Sequence, residues 1–210
     1  MIKILIADDH QLIREGLKKI LKEEHDMSIV GEGGNADEVF KLVRESDLDV
    51  VLLDISMPGR SGLEVLKELK HTHPKLPILM LSMHPEDRFA VRSLKAGASG
   101  YITKESAGEE LVSAIRKVVG GGKYISMFLA EKLAFGLDAD SGRPPHEALS
   151  DREFQVMTMI SAGKKMTEIA EELSLSIRTV NTYRARILEK MQMKNNAELI
   201  HYAIQHGLVD

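Results

Sequence analysis

Two hydrophobic patterns alternate along the first 120 residues of the chain. Short apolar runs rich in β-branched residues are typical of buried strands, and stretches with apolar positions three or four residues apart are typical of amphipathic helices. Five strands that alternate with five helices predict a doubly wound α/β fold with a five-stranded parallel sheet. The predicted strands cover 3–7, 28–31, 50–53, 78–81 and 101–103, and the predicted helices cover 11–22, 36–45, 63–71, 87–96 and 107–119.

The remaining residues have a different pattern. Three glycines at 120–122 end the alternating region, and a linker helix over 126–135 is predicted before a segment rich in proline, glycine and charge. From residue 149 onward every segment has the helical period. We therefore predict an α/β domain over 1–120, a linker over 121–148 and a small all-α domain over 149–210.

Composition and charge narrow the range of functions. The chain has no cysteine, which excludes disulfides, thiol catalysis and cysteine-bound zinc. Its 43% hydrophobic and 29% charged residues are ordinary for a globular protein, and we expect no targeting segment, no membrane association and a cytoplasmic location. The net charge is −4, yet the segment 178–194 holds five basic residues and one acidic residue. That segment is a local basic stripe.

Polar side chains lie where several predicted strands end. Asp8 and Asp9 follow the first strand, Asp54 the third, Ser82 the fourth and Lys104 the fifth. Because ligands of a doubly wound sheet bind outside the carboxyl ends of its strands, we expect these side chains to form one site. Three converging carboxylates suit Mg²⁺, whereas a lysine and a hydroxyl suit phosphoryl oxygens.

Three segments resemble the receiver domain of two-component response regulators, with the match running over residues 1 to about 120. They are ILIADDHQLIREGL, VVLLDISMPGRSGLEVL and GASGYITKES. The resemblance implies a flavodoxin-like fold in which Asp54 accepts a phosphoryl group from a histidine kinase. It also implies that Asp9, Asp54 and the backbone carbonyl of Ser56 bind Mg²⁺, while Asp8 acts through water.

The resemblance assigns further roles around the acceptor. It implies that Lys104 neutralises the phosphoryl group, that Ser82 moves to hydrogen-bond it, and that Tyr101 rotates inward as Ser82 moves. His10 is expected to cap the first helix rather than to take part in catalysis. His71 and His73 have no third ligand nearby in the sequence, so we interpret them as polar residues at a helix end rather than as a metal site.

Residues 166–191, MTEIAEELSLSIRTVNTYRARILEKM, have a helix-turn-helix pattern. Their apolar spacing packs two helices across a tight turn, and Ser174 stands where a glycine is often found. The second helix carries an exposed face of Asn, Thr and Arg beside the basic stripe, which suits a major groove. An ordinary amphipathic helix would show a similar solvent face, but the preceding helix favours DNA binding.

The segment from residue 149 resembles the LuxR-type module of NarL/FixJ-class regulators and covers 149–210, and the run VNTYRAR hints at the GacA/UvrY branch. The resemblance implies that Asn181, Thr182 and Ala185 read bases. The last helix, 196–206, either pairs two modules on DNA or completes the core. The residues expected to contact phosphate are Arg178, Thr179, Arg184, Arg186 and Lys190.

The sequence as a whole predicts a response regulator that is not an enzyme. Phosphorylation of Asp54 by a histidine kinase would control its binding to promoter DNA and its formation of a homodimer. One alternative is an aspartyl-phosphate phosphohydrolase, which would need its nucleophile on the first strand and an acid/base carboxylate two residues after it. Here Ser56 stands two residues after Asp54. Another is a phosphorylation-independent DNA-binding protein with the receiver as a scaffold, which the acidic residues, Ser82 and Lys104 argue against.

Overall fold

The computed structural model describes residues 1–83, 86–126, 129–130 and 144–209, with the backbone alone for 86–88. The chain divides into two compact units, Met1–Ala134 and Phe135–Asp210. The predicted linker helix over 126–135 lies largely outside the described residues. No helix in the described ranges has the length and apolar character needed to span a membrane.

The first unit is a parallel sheet of five strands in the order β2-β1-β3-β4-β5, within the part of the chain described. This order is that of a doubly wound flavodoxin-like sheet, so the predicted fold class is confirmed. The strands are β1 (Ile2–Ala7), β2 (Met27–Gly33), β3 (Val50–Asp54), β4 (Ile78–Ser82) and β5 (Gly100–Thr103). The helices are α1 (Gln11–Lys22), α2 (Ala36–Glu45), α3 (Gly62–Thr72), α4 (Glu86–Lys95) and α5 (Ala107–Val119).

The central strands are buried along their whole length, since every residue of β3 and β4 is inaccessible to solvent. The apolar runs that predicted them therefore cover both faces of the sheet, as a parallel sheet between two helical layers requires. The register pairs Ala7 with Leu53 and Asp54 with Leu81, so the carboxyl ends of β1, β3 and β4 are level.

Local sequence signals set several helix boundaries. Asn35 accepts a hydrogen bond of 3.0 Å from the backbone N–H of Glu38 and so caps the start of α2. At the start of α3, a Cβ atom on Gly62 would lie 1.9 Å from the carbonyl oxygen of Asp54. Only glycine therefore lets the chain pass so closely beside the end of β3.

The second unit is helical throughout its described part. A 3₁₀ turn at Pro145–Ala148 precedes α6 (Asp151–Ser161), α7 (Met166–Glu172), α8 (Ile177–Lys190) and α9 (Asn196–Gln205). Helix α8 packs against α6 and α7, and α9 packs against α6. Ser174 lies between α7 and α8 with a φ of 52°, a left-handed conformation that makes the turn tight. The predicted helix-turn-helix is thus present.

Candidate functional site

Two aspartates and a lysine from three strand ends meet at the carboxyl edge of the sheet. Asp8 and Asp54 are 0% and 1% exposed. The ammonium nitrogen of Lys104 lies 2.7 Å from Asp8 Oδ2 and 3.1 Å from Asp54 Oδ2. The backbone N–H of Lys104 also donates to the Ser82 carbonyl oxygen at 2.7 Å, which places the lysine at the end of β4.

Burial changes the acidity of this cluster. It raises the pKa of Asp54 to about 6, and the negative charge of Asp8 adds to that increase, although Lys104 opposes it. For Lys104, burial alone would lower the pKa, but the two carboxylates raise it above its ordinary value. At neutral pH the site therefore holds an ionised Asp54 beside a charged lysine.

The carboxylates at this edge have unused bonding capacity. Apart from ion-pair contacts, Asp8 Oδ2, Asp9 Oδ1 and Asp54 Oδ2 are buried without a hydrogen-bond donor among the described residues. Potential ligand atoms of Asp8, Asp9, His10 and Asp54 lie within 4.8 Å of one another. Carboxylate oxygens in this arrangement fit a hard divalent cation, which would offset their mutual repulsion. His71 and His73 belong to no such group within the described ranges.

Hydrogen bonds from two neighbouring residues hold Asp8 in place. Arg14 of α1 donates to the backbone carbonyl of Asp8 at 2.7 Å and pairs with Glu32 of β2 at 3.2 Å. The N–H of His10 donates to Asp8 Oδ1 at 2.8 Å. Sequence reasoning did not identify Arg14, because which carbonyl a helical arginine reaches depends on how its helix docks on the sheet.

His10 is the N-cap residue of α1, as predicted, but its side chain makes no capping hydrogen bond. Its Nδ1 instead lies 2.9 Å from Asp9 Oδ1. The expectation that His10 caps the helix is therefore correct for its position and wrong for its side chain. The ring pairs with the neighbouring carboxylate of Asp9 rather than with the backbone N–H groups at the start of α1.

The predicted switch residues lie on the two strands beyond Asp54. Ser82 is the last residue of β4 and is paired with Thr103, while Tyr101 is paired with Met80. Ser82 and Tyr101 are both fully buried. The movement expected of the two side chains stays a prediction.

The second unit exposes one face of α8. Asn181, Thr182 and Ala185, the predicted base readers, are all exposed, whereas Val180 and Ile187 are buried. The hydroxyl of Thr182 donates to the backbone carbonyl of residue 178 at 2.9 Å. The faces of the helix are thus those that the 3.6-residue period predicted.

The basic residues of α8 differ in their partners. Arg184 Nε donates to Asn196 Oδ1 at 2.7 Å, and Lys190 Nζ lies 2.6 Å from Glu153 Oε2. Arg178 and Arg186 are exposed, and neither makes an ion pair with a described residue. These two arginines are therefore the most accessible cations of the helix for a phosphate.

Comparison with known families covers both units. The model described as "Response regulator receiver domain" matches residues 4–116, and the model described as "Bacterial regulatory proteins, luxR family" matches residues 147–203. The chain belongs to the two-component response regulators. It is thus a regulator rather than an enzyme, and the phosphohydrolase alternative does not apply.

Relatives of this response regulator match it over nearly their whole length. It is 40% identical to Response regulator UvrY of Escherichia coli over 209 residues, which are 99% of this chain and 96% of that protein. Identity to Response regulator GacA of Pseudomonas aeruginosa is also 40%, over 100% of this chain and 99% of the relative. The hint toward the GacA/UvrY branch is confirmed.

One similar solved structure contains promoter DNA. RcsB from Salmonella enterica serovar Typhimurium, bound to promoter rprA in the presence of phosphomimetic BeF₃⁻, is 25% identical with a TM-score of 0.65. The match covers 96% of this response regulator and 97% of that chain.

Proposed function

We propose that this response regulator binds promoter DNA through α8 and that a histidine kinase controls the binding by phosphorylating Asp54. The observation that carries the proposal is the position of Asp54, buried at the carboxyl edge of the sheet, 3.1 Å from the ammonium of Lys104. The proposed organisation is a receiver over 1–120, a linker over 121–148 and a DNA-binding domain over 149–210.

The carboxylate of Asp54 is suited to act as the nucleophile. With a pKa of about 6 it is ionised at neutral pH, while its burial keeps it poorly hydrated and reactive. One of its oxygens attacks the phosphorus of the donor, the bond from phosphorus to the donor's leaving group breaks, and an acyl phosphate forms. Lys104 then neutralises an oxygen of the transferred group.

Asp8, Asp9, Asp54 and the backbone carbonyl of Ser56 would hold Mg²⁺. When bound, the ion supplies positive charge that offsets the developing charge on the phosphoryl oxygens. The support for this cofactor is the convergence of three carboxylates at one edge of the sheet, where Lys104 supplies a single positive charge. The backbone of Ser56 lies beside this group of ligands, since its N–H hydrogen-bonds to the Asp54 carboxylate.

The DNA interface is proposed on the exposed face of α8. Asn181, Thr182 and Ala185 would contact base edges, and five neighbouring residues would contact phosphates. The RcsB structures support both DNA binding and a homodimer, since one contains promoter DNA and another contains two RcsB dimers bound to two parallel DNAs. The proposed phosphate contacts are Arg178, Thr179, Arg184, Arg186 and Lys190.

Phosphorylation with a small donor tests the acceptor. The full-length protein is incubated with acetyl phosphate and Mg²⁺, and covalent phosphate and affinity for a promoter duplex are both measured. Wild type should gain phosphate and affinity, and Asp54→Asn should gain neither. Asp47→Asn is the matched control, because Asp47 is an exposed aspartate that pairs with Lys3. Full phosphate incorporation by Asp54→Asn would exclude Asp54 as the acceptor.

A further inference from the structure

The imidazole of His10 lies among the carboxylates of the candidate metal site. Its Nδ1 is 2.9 Å from Asp9 Oδ1 and 3.5 Å from Asp8 Oδ1. The ring makes no capping hydrogen bond to the start of α1. It is also not locked in the core, because the side chain of His10 is 64% exposed. The ring can therefore adjust toward a ligand without disturbing the fold.

These distances match the spacing of ligand atoms around one ion. In an octahedral site with ligands at about 2.1 Å, adjacent ligand atoms are about 3 Å apart and opposite ones about 4.2 Å. The separations of the His10 nitrogen from Asp9 and Asp8 are close to the adjacent spacing. All four potential ligand atoms lie within 4.8 Å of one another, so small side-chain rotations bring them onto one centre.

A second observation marks the site as a cation site. Asp8 and Asp54 are at least 99% buried, and the Lys104 ammonium contacts Asp8 Oδ2 at 2.7 Å and Asp54 Oδ2 at 3.1 Å. This single positive charge faces three carboxylates, so the negative charge of the site is not fully balanced. The backbone N–H of His10 donates to Asp8 Oδ1 at 2.8 Å. The same residue thus orients one carboxylate with its backbone and places a nitrogen donor beside another with its side chain.

We propose that His10 is a further protein ligand of the receiver's metal site and makes the site favour first-row transition ions over Mg²⁺. Mg²⁺ prefers oxygen ligands and retains its waters, whereas Mn²⁺, Co²⁺ and Ni²⁺ also bind imidazole nitrogen well. A site of three carboxylates and one imidazole therefore binds these ions more tightly than a site of carboxylates alone. This inference rests on the proposed function, because it requires the receiver to bind a divalent cation.

Calorimetric titration of the full-length protein with Mg²⁺ and with Mn²⁺ tests the proposal. In His10→Ala, the affinity for Mn²⁺ should fall about tenfold or more, as expected when a metal-site residue is lost, and the affinity for Mg²⁺ should change much less. His25→Ala is the matched control, because His25 is an exposed histidine outside the acidic group. It should bind both ions as wild type does.

The spectrum of bound Co²⁺ gives a readout that is independent of affinity. Wild type and His25→Ala should share one set of visible absorption bands, and His10→Ala should show shifted bands because an oxygen ligand replaces nitrogen. Equal changes in Mn²⁺ and Mg²⁺ affinity, with unchanged bands, would overturn the proposal and leave His10 as a simple neighbour of Asp9. If wild type binds neither Mg²⁺ nor Mn²⁺, metal dependence of the proposed function fails as well.

Discussion

Lys190 at the end of α8 forms an ion pair of 2.6 Å with Glu153 in the first turn of α6. The side chain of Glu153 is only 4% exposed and also accepts from the backbone N–H of Ser150 at 2.8 Å. Burial alone would raise the pKa of Glu153, but the bonds from Lys190 and Ser150 lower it below its ordinary value. A residue proposed to contact DNA phosphate therefore also stabilises the helix-turn-helix unit.

Replacement of Lys190 should consequently affect both stability and DNA binding. Lys190→Ala leaves the Glu153 carboxylate without its cation, so the free energy of unfolding should fall by about 1–2 kcal/mol. Binding should weaken alike for all duplexes, and the salt slope should fall by about one unit per monomer. Arg186→Ala, which removes a cation without an ion pair, should lower the slope and leave stability nearly unchanged.

Urea unfolding and salt titrations of DNA binding measure these two effects. A stability loss in Lys190→Ala with an unchanged salt slope would mean that Lys190 stays with Glu153 on DNA.

Asn181→Ala should relax sequence preference. A side-chain amide can make a bidentate contact to adenine worth about 1–3 kcal/mol of discrimination, and Asn181 is uncharged and exposed on α8. Binding to cognate and scrambled duplexes at several salt concentrations should show a smaller specificity ratio and an unchanged salt slope. Equal loss of affinity for both duplexes would show that Asn181 does not read a base.

Removal of the buried charge of Asp54 should stabilise the metal-free protein. The folded state raises the pKa of Asp54 to about 6, so the fold retains this proton to a higher pH than the unfolded chain does. The free energy of unfolding therefore falls as pH rises from about 4 to about 6. In the presence of a chelator, Asp54→Asn should be more stable than wild type at pH 7.5, by about 3 kcal/mol.

The gain in Asp54→Asn should disappear below about pH 4, where both states of wild type are protonated. Asp47→Asn should show no such gain. A variant at position 54 that is less stable than wild type at pH 7.5 would mean that the loss of the Lys104 ion pair outweighs the relief of burial.

Ser82→Ala should leave the phosphorylation of Asp54 intact and weaken its effect on DNA affinity. Ser82 is a buried residue at the end of β4, and alanine fits its space while removing the hydroxyl that is proposed to hydrogen-bond a phosphoryl oxygen. Acetyl phosphate should still label Asp54, but the increase in DNA affinity should be smaller than in wild type. A normal increase would exclude Ser82 from the switch.

Ser174→Gly should be tolerated, and Ser174→Val should not. Ser174 has a φ of 52°, which costs a β-branched residue about 1–2 kcal/mol in the left-handed region, whereas glycine adopts it freely. Thermal unfolding of the full-length protein should place the melting temperature of the glycine variant near wild type and that of the valine variant several degrees lower. Equal melting temperatures would contradict the left-handed turn.

The sequence determined the elements and their exposed and buried faces. Hydrophobic period alone placed β3 and β4 within one residue of their observed ends, because each buried strand needs an unbroken apolar run. It also placed Asn181 outside and Val180 inside on α8, because a helix repeats every 3.6 residues. The meeting of Asp8, Asp54 and Lys104 followed from topology, since parallel strands end at one edge.

Only the tertiary structure decided which side chains meet across elements. Glu153 and Lys190 are 37 residues apart, and Arg14 reaches the carbonyl of Asp8 only because α1 docks beside β2. The His10 ring faces Asp9 rather than the helix end, although either partner was available to it in the sequence. Such contacts depend on helix docking and rotamer choice, which hydrophobic period does not specify, because many packings bury the same apolar face.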